Sequence, residues 1–226
     1  MGRLVEVADT RLYVEERGEP SAFPLLVFHG GPGLDHTWFG DYLDPLTGDG
    51  RYRLVLADER ACGRSDRTAP RPTWTLGRMA QDVSELAASL GVSDGYATLG
   101  HSYGAFLVLQ HAVDHPGEPC GTIVSAGIAA ARWLHGVDRQ LAAFEPVELR
   151  EQVTSSWARE RSVQTQDEAS ALIEDQMPFH FWEPRARRSR STCAGPPGVP
   201  GTRRTSSATF LRRTTGESMS RTGWAR

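Results

Sequence analysis

Tyr96-Ala97-Thr98-Leu99-Gly100-His101-Ser102-Tyr103-Gly104 is a short apolar run that ends in Gly-x-Ser-x-Gly, and a long apolar helical pattern follows it. A serine in that setting stands at the tip of a sharp strand-to-helix turn, a nucleophile elbow. The spacing has a chemical reason. The serine must hold strained backbone geometry to present its hydroxyl, and small residues at Gly100 and Gly104 let the two arms of the turn pass closely. The same turn puts the Tyr103 amide at a helix N-terminus, where it can face a developing oxyanion. Taken alone the pattern is common, and its plain alternative is a glycine-rich turn. The strand before it, the helix after it and the loops upstream favour the elbow.

Upstream, Leu4 to Val7 and Leu12 to Val14 alternate apolar and polar around Ala8-Asp9-Thr10, which reads as an antiparallel hairpin. Pro24 to Phe28 and Arg53 to Ala57 are continuous apolar runs, as expected of strands buried on both faces. The first opens into His29-Gly30-Gly31-Pro32-Gly33, the second into Asp58-Glu59-Arg60-Ala61-Cys62-Gly63-Arg64-Ser65. Thr75 is placed to cap a helix whose Leu76, Met79, Val83, Leu86 and Leu90 recur at steps of three and four, with Gly91 just past its end. A second helix runs from Tyr103 to about Asp114, before Pro116, and Thr122 to Ser125 is the next strand. Strand and helix alternate, so the fold class is α/β, a mostly parallel sheet with helices on both faces.

From about Ala131 the pattern changes to helices. Trp133, Leu134, Val137, Leu141 and Phe144 form one stripe. Pro146 suits the first position of a second helix carrying Leu149, Val153 and Trp157, and Leu172, Ile173 and Met177 suggest a third. These stripes can simply pack on the sheet, or form a helical cap that excludes water from the serine. Residues 185–226 hold ten arginines and one acid, Glu217, with few large apolar side chains and no period. Such a segment cannot bury enough apolar surface to offset its ordering entropy and is expected to be disordered. The expected division is therefore a core at 1–130, a cap at 131–184 and a tail at 185–226.

The chain has 226 residues and a net charge of −3, which implies no particular partner. Cys62, Cys120 and Cys193 are odd in number and scattered, with neither a disulfide framework nor a zinc spacing. The N-terminus shows no signal-peptide pattern and no apolar run reaches membrane length, so a cytoplasmic protein is expected. Lysine and asparagine are both absent, which points to a GC-rich gene.

His29-Gly30-Gly31-Pro32-Gly33, Asp58 to Ser65, Gly100 to Gly104 and the change to helices near Ala131 together resemble the proline iminopeptidase branch of the α/β-hydrolases, over roughly residues 3–184. The resemblance implies that Ser102 is the nucleophile and that the amides of Gly31 and Tyr103 form the oxyanion hole. It implies a small-molecule or short-peptide substrate, no cofactor, no metal, no nucleic acid and no membrane partner. Ala61 stands where the family usually has glycine. His29 and His101 flank the site, but neither matches the family's base, and Asp58 and Arg60 read as loop-ordering partners rather than catalytic groups.

In this fold the triad order is serine, then acid, then histidine. Here no aspartate follows Asp175 and no histidine follows His180, so no triad acid or base is found and the last strands have no counterpart. The change of composition near Pro184 to Arg188 fits a shift of reading frame, the alternative being a natural basic tail. The readings are thus a serine hydrolase, inactive as written, a non-catalytic binding protein that keeps the hydrolase pocket, and a basic-tailed nucleic-acid binder.

Overall fold

A computed structural model describes residues 2–31, 33–163 and 166–181. The tail expected to be disordered, 185–226, and the region of the frame shift lie outside the described residues. The chain divides into two compact units, Met1–Ile128 and Ala129–Arg226.

The first unit is built on one six-stranded sheet. Its strands are β1 (Arg3–Val7), β2 (Thr10–Arg17), β3 (Phe23–Phe28), β4 (Tyr52–Ala57), β5 (Ala97–His101) and β6 (Gly121–Ser125). The order across the sheet is β1-β2-β4-β3-β5-β6. β1 and β2 form the expected hairpin, and β2 runs antiparallel to β4. From β4 to β6 every pairing is parallel. Two helices serve the parallel part, α1 (Leu76–Ser89) and α2 (Tyr103–Asp114). The Thr75 hydroxyl caps α1 by accepting from the Arg78 amide, and Gly91 takes the left-handed turn after it at φ 69°.

Register and side-chain alternation sort the core into two faces. Leu25 pairs with Leu54 and Ala97, and Val27 with Leu56 and Leu99, so these six share one face. Phe39 and Leu43, on the short helical turns His36–Phe39 and Asp44–Thr47 or beside them, pack on that face. Leu26, Phe28, Val55, Ala57 and Gly100 point the other way, the side of α2 and of α1 packed against it. β3 and β4 are buried on both faces almost end to end, as their unbroken apolar runs imply. Each such Leu, Val or Phe contributes about 1.5–3 kcal/mol. Among the described residues β6 is the outer strand, and its Ile123 and Val124 remain 49% and 41% exposed.

The second unit is helical: α3 (Leu134–Ala142), α4 (Val147–Arg159) and α5 (Gln166–Gln176), joined and ended by short 3-10 turns. Pro146 caps α4 rather than opening it, one residue from its expected place. α4 packs on α5, Val153 is fully buried, and Leu172 forms a buried cluster with Val163. Phe179 stands edge-on to Phe144 and Trp157, at 5.2 and 5.5 Å. No helix among the described residues is long and apolar enough to cross a membrane.

Candidate active site

Ser102 sits between β5 and α2 with φ 55° and ψ −111°, a conformation costly for any residue with a side chain. The neighbouring glycines make it feasible. A Cβ on Gly100 would lie 2.0 Å from the Gly104 carbonyl oxygen, and one on Gly104 would lie 2.4 Å from the Phe28 carbonyl oxygen. The arms of the turn thus pass as closely as the sequence implies. The Ser102 amide donates to the Ser125 carbonyl at 2.9 Å, tying the elbow to β6. The Gly104 amide donates to the His29 carbonyl at 2.9 Å, tying α2 to the end of β3.

That second tie brings the glycine loop to the serine. A Cβ on Gly30 would stand 3.2 Å from the Ser102 Cβ. Gly31 follows at φ 133°, where a side chain would be strained and would press within 2.8 Å of the Gly33 nitrogen. Tyr103 is the first residue of α2, in the turn whose amides lack acceptors within the helix. Its ring is buried, its hydroxyl meets the Met79 sulfur at 3.8 Å, and burial pushes its pKa far up.

The loop after β4 is ordered by two networks, in line with the reading of Asp58 and Arg60. Asp58 Oδ1 accepts from both the His36 amide at 2.7 Å and the His36 ring Nδ1 at 2.6 Å, while Oδ2 accepts from the Arg64 amide. His36 Nε2 lies 3.5 Å from Glu15. Burial works against charge on the His36 ring, but Asp58, with Asp35 and Glu15 near it, outweighs burial and raises its pKa above 6.5. A histidine raised in this way adds stability that is full below its unfolded pKa and is lost as pH climbs through its folded pKa. His36→Gln should therefore flatten the fall in Tm as pH rises from about 6.5 upward. An unchanged slope in the variant would show that the pair contributes nothing to it.

Arg60 carries the other network. Its guanidinium reaches Asp82 of α1 at 2.6 and 2.7 Å, Asp9 of the β1–β2 turn at 2.8 and 3.2 Å, and Thr73. The hydrogen bond from Arg60 is the main reason that the Asp9 pKa falls to about 2. The next residue, Ala61, is buried at φ 60°, left-handed geometry that explains why glycine suits this position. Ala61→Gly should stabilise the fold by about 0.5–1 kcal/mol, the strain relieved exceeding the extra freedom of the unfolded chain. A lower urea midpoint at unchanged m value would contradict this.

Neither flanking histidine is placed as a base. His29 is buried, with Nδ1 2.7 Å from the Gly30 carbonyl and Nε2 accepting from the Glu59 amide at 3.1 Å. Burial lowers its pKa. His101 shares the face of Phe39, stacks near Trp38 and meets the Ser125 hydroxyl through Nδ1 at 3.1 Å. Among the described residues none is found hydrogen-bonded to the Ser102 hydroxyl. His36, Glu59 and Asp82 were not marked by the sequence pattern. His36 and Asp82 each depend on a partner 22 positions away and the Glu59 amide meets His29, so no local period signals them.

Residues 24–192 match the alpha/beta hydrolase fold family. The proline iminopeptidase of Xylella fastidiosa strain 9a5c is 30% identical over 188 residues, covering 76% of this chain and 57% of that protein. A probable proline iminopeptidase of Streptomyces coelicolor is 34% identical over 121 residues, covering 50% of this chain and 36% of that one. The chain thus spans little more than half the length of such relatives at most. The crystal structure of proline iminopeptidase from Mycobacterium smegmatis aligns with TM-score 0.59 at 23% identity, over 77% of this chain and 67% of that one, a likeness of fold.

Proposed function

We propose a function from one premise: the chain belongs to the alpha/beta hydrolase fold family. The sequence is that of a serine hydrolase acting through an acyl-Ser102 intermediate, and its substrate class is an N-terminal prolyl peptide or a small ester, amide or lactone. One observation carries the reading: Ser102 is held at φ 55° between β5 and α2, in geometry that persists only where the surroundings enforce it. Relatives named proline iminopeptidase support the substrate class.

In this mechanism Ser102 Oγ attacks the substrate carbonyl, and the amides of Gly31 and Tyr103 receive the charge that develops on its oxygen. The hydroxyl proton must pass to an imidazole oriented by a carboxylate. His29 and His101 have other partners, and among the described residues no imidazole is found on the Ser102 hydroxyl. In this reading the base is missing from the chain as given, and its serine is a weak nucleophile. Losing one such group can cost on the order of 10⁶ in kcat.

Hydrolysis of p-nitrophenyl acetate and of a prolyl arylamide tests this. The chain as written should turn over no faster than Ser102→Ala. A gene restored to the other reading frame after about Pro184 should give activity that Ser102→Ala abolishes. Ser102-dependent turnover by the unrepaired chain would refute the missing base, and serine-independent turnover by the repaired one would refute the nucleophile.

A further inference from the structure

We propose that His29, Glu59 and Cys62 form a zinc-binding site behind the strand exit that carries Gly30 and Gly31. The three residues are 0%, 2% and 1% exposed, and one ligand atom from each lies within 4.8 Å of the other two. The donor set is one imidazole nitrogen, one carboxylate oxygen and one sulfur, the set that zinc takes in preference to magnesium or calcium. Zinc bonds of about 2.0–2.3 Å would need these atoms to close by no more than ~1 Å.

Glu59 is the observation that points to a ligand. Both of its carboxyl oxygens are buried, with no hydrogen-bond partner among the described residues. Natural interiors rarely leave such a group unpaired, because doing so costs about 1–3 kcal/mol. One of its carboxyl oxygens lies within 4.8 Å of the Cys62 sulfur and of a His29 ring nitrogen. Burial pushes the Glu59 carboxyl and the Cys62 thiol up from their ordinary values.

The shell around the ligands is already set. The His29 Nδ1 proton goes to the Gly30 carbonyl at 2.7 Å, which leaves Nε2 as the lone-pair nitrogen, the arrangement usual for metal-bound histidine. Nε2 now accepts from the Glu59 amide at 3.1 Å, and the metal would replace that single bond. The Gly33 amide donates to the Cys62 sulfur. Ligands from positions 29, 59 and 62 share no motif spacing, which is why the linear pattern of cysteines and histidines does not show them.

The test uses the full chain, stripped with EDTA and titrated with Zn²⁺, and with Co²⁺ as a coloured substitute. One equivalent should bind, Tm should rise, and the cobalt form should show a thiolate charge-transfer band. Cys62→Ser should abolish the band. Glu59→Gln should weaken binding by at least ~10-fold, since even indirect partners of a metal cost that much. Glu59→Gln also relieves the unpaired acid and should fold at least as well as the parent, so its loss of affinity cannot be a loss of fold. Cys193→Ser should change nothing. Absence of stoichiometric binding by the parent chain, a band that survives Cys62→Ser, or unchanged affinity in Glu59→Gln would each overturn the site.

Discussion

Gly100→Ala should leave little folded protein. The new methyl would sit 2.0 Å from the Gly104 carbonyl oxygen, 2.4 Å from its carbon and 2.7 Å from the Ala105 nitrogen. All three are backbone atoms of α2, so no side chain can rotate out of the way. Ordinary overpacking costs about 1–3 kcal/mol, and a clash with main chain on a packed helix lies at or above the top of that range. Gly104→Ala meets the carbonyls of Phe28 and His29 at 2.4 and 2.5 Å and should be as severe. Against a total stability of about 5–15 kcal/mol, either change is a large fraction. Gly77→Ala is the control, because a Cβ there meets nothing within 4 Å. In the first turn of α1 it should be neutral or stabilise by less than the ~1 kcal/mol of a helix interior. Urea denaturation of the three variants decides the matter, and a Gly100→Ala midpoint equal to that of the parent would mean the turn is looser than described.

Arg60→Ala should cost up to about 3–5 kcal/mol, because it takes the paired guanidinium bonds from buried Asp82 and leaves it only the Arg78 contact at 3.2 Å. The Arg60 side chain is fully buried and that of Asp82 is 4% exposed, so water cannot substitute. Arg60→Lys should recover only part of the loss, since one ammonium cannot span the paired bonds to Asp82 and Asp9 that the guanidinium fork makes. The double change Arg60→Met with Asp82→Leu should recover most of it by removing the buried charge with its partner. If the double variant is no more stable than Arg60→Ala, the loss comes from packing and not from the carboxylate that loses its guanidinium.

The parallel core was legible in the sequence because each strand there is an unbroken apolar run, ended by a glycine-rich or polar loop. Leu25 to Phe28 and Leu54 to Ala57 are buried on both faces, and that burial is what the run encodes. α1 and α2 were legible from their caps and three-four spacing. The turns at His36–Phe39 and Asp44–Thr47 were not, because four residues are too few to carry a period. β6 was read as one more strand, but Ile123 and Val124 are half-exposed, and an apolar run does not say whether a neighbour will cover it. At the site, Ser102, Gly31 and Tyr103 were marked by motif, and the structure brings Ser102 beside Gly30. The Asp58–His36 pair and the Glu59, His29 and Cys62 cluster were not marked. They join separate loops, and only the sheet order, with β3 beside β4, brings those loops together.

The junction around Arg60 has a consequence for how the chain is made. Its partners are Asp9, Thr73 and Asp82, so every group it needs has been synthesised once α1 is under way. β5, which seats beside β3, and the elbow that follows it come later in the chain. Domains form from the N-terminus as synthesis proceeds, at about 5–20 residues per second. The hairpin, the loop after β4 and α1 can therefore lock around one guanidinium about a second or more before Ser102 emerges, and the strained turn then closes onto a platform already in place.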